Sequence, residues 1–174
     1  MRCLYLTFFL FQLIFFPAYS NAVENDAYRA SGLKIPRFVS IAKNEANVRS
    51  GPGTQYPVKW IITKKLIPVE VILEFDNWRK IRDFDGQEGW VFHTLLSGKR
   101  SAIVATQNEI FALKDPKGNP EQPKAKDIVM RLQPRAAVNI MSCHDIWCRI
   151  NAKGYSGWIK RKSLWGVYET EKID

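Results

Sequence analysis

Cys143-His144-Asp145-Ile146-Trp147-Cys148 crowds two thiols and an imidazole into six residues, and with His93, the other histidine, it offers the parts of a Cys/His nucleophile or a zinc site. Either chemistry needs free thiolates, so the redox compartment decides. Met1-Arg2 precedes an apolar run from Leu4 to Phe16 and then small residues at Ala18, Ser20 and Ala22, the layout of a signal peptide over residues 1–22. As a helix that run falls short of the roughly 30 Å hydrocarbon core of a bilayer, so a cleaved leader is expected rather than an integral membrane protein. The mature chain is predicted to start at Asn21 or Val23 and to reside in the periplasm. There an even pair of cysteines reads as a disulfide, and Cys143 and Cys148 flank a short connection as a cross-strand pair would. Pairing withdraws both thiolates, which leaves the expectation of no catalytic residues, no metal and no cofactor.

What remains is recognition chemistry. The sequence carries 26 basic and 17 acidic residues, a net charge of +9 that becomes +8 once Arg2 leaves with the leader. A basic surface favours anionic partners. Export argues against nucleic acid, leaving cell-wall carboxylates, phosphorylated glycolipid or an acidic protein surface. Five side chains are candidate ligand contacts. Arg49 could hold a carboxylate bidentately, Tyr56 and Trp60 flank a long loop, and Trp78 and Trp147 each follow a hairpin turn, where partial exposure is expected. Trp78 with Trp90, and Trp147 with Trp158, could form a stacking surface, but strand aromatics mostly fill cores and anchor loops, so a structural role is expected of all four, with Trp78 and Trp147 the more exposed.

These residues sit on a repeat. Trp78-Arg-Lys-Ile81, then Gly86-x-x-Gly89-Trp90-Val91, returns as Trp147-Cys-Arg-Ile150, then Gly154-x-x-Gly157-Trp158-Ile159, 69 residues later at the first Trp and 68 at the second. A fixed period implies one structural unit used twice. The first copy reads as strands at Arg37–Ile41, Val58–Ile62, Ile67–Leu73, Trp78–Arg82 and Gly89–Phe92, with Asn47 to Thr54 as a turn-forming cluster. The second copy repeats this grammar from Ile103, with residues 117–126 as a Pro- and Lys-rich surface insertion. Five short strands in about 60 residues argue a small closed or nearly closed barrel, giving an all-β chain of two small five-stranded barrels in tandem. The expected organisation is a signal peptide (1–22), a loose segment (23–36), a first domain (37–98), a second domain with the disulfide (99–168) and a tail (169–174). Units this small are marginal alone, so an interface between the copies is expected.

Asn47-Val-Arg49-Ser-Gly-Pro52-Gly, the Trp78 and Gly89-Trp90 segments and their second-copy counterparts resemble the bacterial SH3-like family of exported and cell-wall-associated modules. The resemblance spans about residues 38–166. It implies a barrel without catalytic activity and a targeting or protein-binding task at the envelope, with peptidoglycan or an envelope protein as partner. The alternative is a structural or regulatory accessory subunit that binds only a protein. Where eukaryotic SH3 domains carry Pro-x-Asn-Tyr, this chain has Phe92-His-Thr-Leu95 and Lys160-Arg-Lys-Ser163, so binding of polyproline helix is not expected.

Overall fold

The computed structural model describes residues 31–174, so the expected leader lies outside the described residues. The fold is all-β. The first copy contributes β1 (Arg37–Ile41), β2 (Ala46–Arg49), β3 (Val58–Ile62), β4 (Pro68–Phe75), β5 (Trp78–Arg82), β6 (Glu88–Phe92) and β7 (Leu96–Ser97). The second contributes β8 (Ser101–Val104), β9 (Ile110–Leu113), β10 (Ile128–Leu132), β11 (Ala137–His144), β12 (Trp147–Ala152), β13 (Tyr155–Lys160) and β14 (Leu164–Trp165). Each set forms one antiparallel curled sheet, ordered β3-β2-β6-β5-β4-β1-β7 and β10-β9-β13-β12-β11-β8-β14, so the two copies share one topology.

The five expected first-copy strands are present within a seven-stranded sheet, and its ladder ends at β3 and β7 instead of closing. The extra strands have physical reasons for having been overlooked. In β2 only Ala46 and Val48 point inward, and the turn-forming residues that follow mask this four-residue alternation. The two-residue β7 is too short to carry a pattern.

Alternation builds both cores. Ile41, Val48, Val69, Val71, Ile81 and Val91 are fully buried in the first copy. In the second, Val104, Ile150, Cys143 and Cys148 pack with Val138, Ile140 and Ile159. Cys143 and Cys148 are bonded across β11 and β12, with Cα atoms 4.1 Å apart. His144 and Trp147 still pair within the strands, so the turn is only Asp145-Ile146, shorter than the four-residue connection expected. Asp76 (φ 49°) and Asp145 (φ 48°) open the two equivalent turns in the left-handed region, where a short polar side chain is better tolerated than a branched one.

The repeated Gly-Trp element has a steric cause. A Cβ on Gly89 would overlap the buried Val48 and lie 3.0 Å from the Arg49 carbonyl oxygen; one on Gly157 would lie 3.0 Å from the Ala112 Cβ and 3.2 Å from the Leu113 carbonyl oxygen. Glycine lets β2 cross β6, and β9 cross β13, at close range.

Buried charge fixes the chain's entry. Glu74, with no exposed surface, accepts from the Ser31 backbone and hydroxyl at 2.7 Å each and from Arg37 at 2.6 Å, with Arg79 Nε at 3.1 Å. Burial pushes its carboxyl upward, but the hydrogen bonds from Ser31 and Arg37 prevail and hold the pKa below the ordinary value. The end of the segment expected to be loose is thus tied to the sheet.

The copies meet through a mixed interface. Ser40 Oγ bonds the Ser101 hydroxyl at 2.7 Å and donates to the Lys99 carbonyl. The Phe38 ring lies 5.0 Å from Trp165, edge to face, and 4.7 Å from Tyr168, while Phe84 approaches Trp165 at 5.7 Å. Tyr168 donates its hydroxyl to Glu70 at 2.8 Å, and burial, then this carboxylate, raises the pKa of its phenol. Arg135 grips Asp85 with two bonds, 2.7 and 2.9 Å, over the Phe84 ring.

Candidate functional site

The loop between β2 and β3 is organised by Arg49, whose Nη1 donates to the carbonyls of Thr54 at 3.2 Å and Tyr56 at 2.8 Å. Within that loop the Tyr56 ring lies on Gly51, where a Cβ would meet it at 2.5 Å. Beside this loop Asn47, Arg49, Thr54, Trp78, Phe92 and Leu95 line a groove of about 250 Å³. Strand pairing sets its wall: Trp78 lies opposite Phe92, and their rings meet edge to face at 5.4 Å. The His93 ring sits 5.0 Å from Phe92. The groove therefore combines an aromatic wall, a guanidinium and small polar side chains, a constellation that can hold a carboxylate or amide against an apolar surface.

The predicted contacts divide between places. Arg49 and Trp78 both line the groove, but Trp78 is 9% exposed and forms its wall, contrary to the expected partial exposure. Its place in β5, pressed on Phe92, explains the burial. Tyr56 is exposed on the loop, with its backbone carbonyl held by Arg49. Trp60 packs against the first core, and its indole would lie 3.3 Å from a Cβ on Gly89. Trp147 is half-buried in the second copy, opposite Lys160 and His144, and does not join this groove. Phe92, Asn47 and Leu95 were missed. A signal existed for Phe92, because the repeat puts Lys160 in its place.

The second copy fills the corresponding site. Leu113, opposite Trp158 as Arg49 is opposite Trp90, is 1% exposed, and a Cβ on Gly118 of the insertion would lie 2.9 Å from its Cδ1. Lys160 replaces Phe92 and points toward Glu121 of the insertion, with Nζ 3.7 Å from the carboxylate. An aromatic groove with a guanidinium becomes a plugged, polar surface. His144 Nε2 lies 3.7 Å from the Asp174 carboxylate at the exposed hairpin end. Among the described residues no group of three or more His, Cys, Asp or Glu side chains is placed to hold a metal.

The bacterial SH3 domain family matches residues 42–98 and 121–166, one stretch in each copy. The chain belongs to that family. The break between the stretches holds β8, β9 and the start of the insertion. Over 129 residues the chain is 23% identical to YrvJ of Bacillus subtilis (strain 168), named as an N-acetylmuramoyl-L-alanine amidase. That match covers 68% of this chain and 24% of YrvJ. Among solved structures, NlpC2 from Trichomonas vaginalis matches at TM-score 0.34 and 15% identity over 82% of this chain and 51% of its own. NlpC1 from the same organism matches at TM-score 0.33 and 16% identity over 85% and 51%. This chain spans about a quarter of the curated relative and about half of each NlpC chain.

Proposed function

We propose that this protein is a non-enzymatic binding module of the cell envelope, exported to the periplasm, whose first copy contacts peptidoglycan. The observation that carries this reading is the first-copy groove, in which Arg49 stands beside the Trp78 and Phe92 wall within a bacterial SH3 fold. Wall peptides present carboxylates and amides, the groups that a guanidinium and Asn47 can bind, and an aromatic wall removes water from them. The similarity to an amidase acting on muramoyl-alanine bonds supports the same substrate class, with this chain supplying the grip rather than the cut. The disulfide removes both paired thiols from catalysis.

Co-sedimentation of the purified protein with isolated sacculi at rising salt tests the reading. Retention is expected at moderate salt, with a loss of about tenfold on Arg49→Ala and a comparable loss on Phe92→Ser. Circular dichroism must show both variants folded. Absence of retention, or equal retention of wild type and both folded variants, refutes wall binding through this groove. Recovery only together with an envelope protein supports the accessory role instead.

A further inference from the structure

A larger cavity, of about 680 Å³, opens between the two copies on a different surface. The loop between β3 and β4 brings Lys64 and Lys65 to one side, and β10 and the β12–β13 turn bring Arg131 and Lys153 to the other. No Asp or Glu lines it. Glu109, outside the lining, approaches Arg131 at 3.7 Å and accepts from Gln133 at 2.6 Å, whereas Lys64, Lys65 and Lys153 make no ion pair among the described residues. Four cations around one concavity repel one another, and an anionic ligand relieves that repulsion.

We infer that this inter-copy cleft is a second binding site, and that it takes an extended peptide bearing carboxylates. Three observations select a peptide. Asn44, Asn139 and Asn151 are side-chain amides with the donor and acceptor that a peptide bond requires, Asn151 spending one N–H on Ser156 Oγ at 2.9 Å and keeping its second N–H and its oxygen. β10, whose end lines the cleft, pairs only with β9, so its other edge presents backbone groups to an incoming strand. Leu66 and Met130 line the cavity and provide apolar surface for alternate side chains. The only aromatic ring in the lining, Tyr155, is 64% exposed, so the cavity lacks the enclosing aromatic faces that suit stacked sugar rings.

The test uses fluorescence anisotropy with the purified full protein, a labelled peptide alternating Glu and Ala, and the same peptide with Gln replacing every Glu. Binding of the Glu peptide and not of the Gln peptide is expected. The double variant Lys64→Glu/Lys153→Glu should weaken it by about tenfold or more, while Lys117→Glu/Lys126→Glu, which makes the same change of net charge on the insertion, should leave it nearly unchanged. All four lysines are exposed, so both variants should keep the wild-type melting temperature. Equal binding of the two peptides, or equal weakening by the two double variants, overturns the site. Sacculus retention measured in parallel separates this result from the first-copy groove: loss of peptide binding with retention intact assigns the cleft alone, and loss of retention in Arg49→Ala with peptide binding intact assigns the groove alone.

Discussion

Replacing Trp165 by Leu should weaken the first copy, although Trp165 belongs to β14 of the second. Its ring touches Phe38, 8% exposed in β1, and Phe84 in the β5–β6 turn. Each aromatic pair contributes about 0.5–1.5 kcal/mol beyond its area. Lost contact with Phe38 and Phe84, together with reduced apolar burial, gives a cost of about 2–3 kcal/mol. That is a large share of the stability of a unit of about 60 residues, about 3–9 kcal/mol at 0.05–0.15 kcal/mol per residue. The assay is a double-mutant cycle of Phe38→Leu and Trp165→Leu by urea denaturation, with amide hydrogen exchange read copy by copy. A coupling of about 1 kcal/mol is expected, together with faster exchange in β1 and β4 when only Trp165 is changed. Additivity within about 0.3 kcal/mol and unchanged exchange in the first copy would refute the claim that the copies support each other.

Glu74→Gln should destabilise by about 3 kcal/mol, because Arg37 and Arg79 lose their buried counter-charge. Since the folded pKa of Glu74 is lowered, its contribution is complete above the unfolded carboxylate value and fades as pH falls through the lower folded value; acid titration of the Gln variant should lack that part of the loss. Gly89→Ala should cost about 2–3 kcal/mol by overpacking against Val48, more than Gly157→Ala, measured by thermal unfolding; equal stability to wild type would show that β2 is free to shift. Alkylation without reduction should label neither Cys143 nor Cys148, and the double Ser variant should lose about 2 kcal/mol, read by urea midpoint.

Alternation and punctuation made most of the fold readable. Trp78–Arg82 and Val58–Ile62 appear with the bounds expected, the first bordered on both sides by turn residues (Asp76-Asn77 and Asp83 to Gly86) and the second preceded by Pro57. The disulfide followed from the expected export and from the cysteine spacing. The site was less legible, since aromatic identity does not reveal which face a residue occupies. Trp78 and Tyr56 looked equivalent as stacking candidates, yet one is pressed between strands and the other caps a loop on Gly51. The inter-copy cleft was invisible for another reason. Lys64 and Lys153 are 89 positions apart, and only the docking of one copy on the other brings them to one cavity.

Duplication explains how two different surfaces arise from one topology. The first copy keeps an open groove because Arg49, at the end of β2, spends one guanidinium nitrogen on the loop and still lines the cavity. In the second copy Leu113 buries itself at that place under the insertion, which adds apolar contact but removes the charge. A second identical groove would have strengthened binding by tethering two sites, with an effective concentration set by their spacing. Plugging it forgoes that gain. The plugged copy instead supplies Trp165 and Tyr168 to the interface and Arg131 and Lys153 to the cleft beside it. Opening the plugged site by Leu113→Arg should therefore leave the cleft's affinity for an acidic peptide unchanged while destabilising the second copy by about 3 kcal/mol, through an unpaired charge at a buried position. Anisotropy and urea denaturation on one preparation measure both. A folded Leu113→Arg protein with wild-type stability would mean that the insertion moves aside readily and that the second groove is closed only loosely.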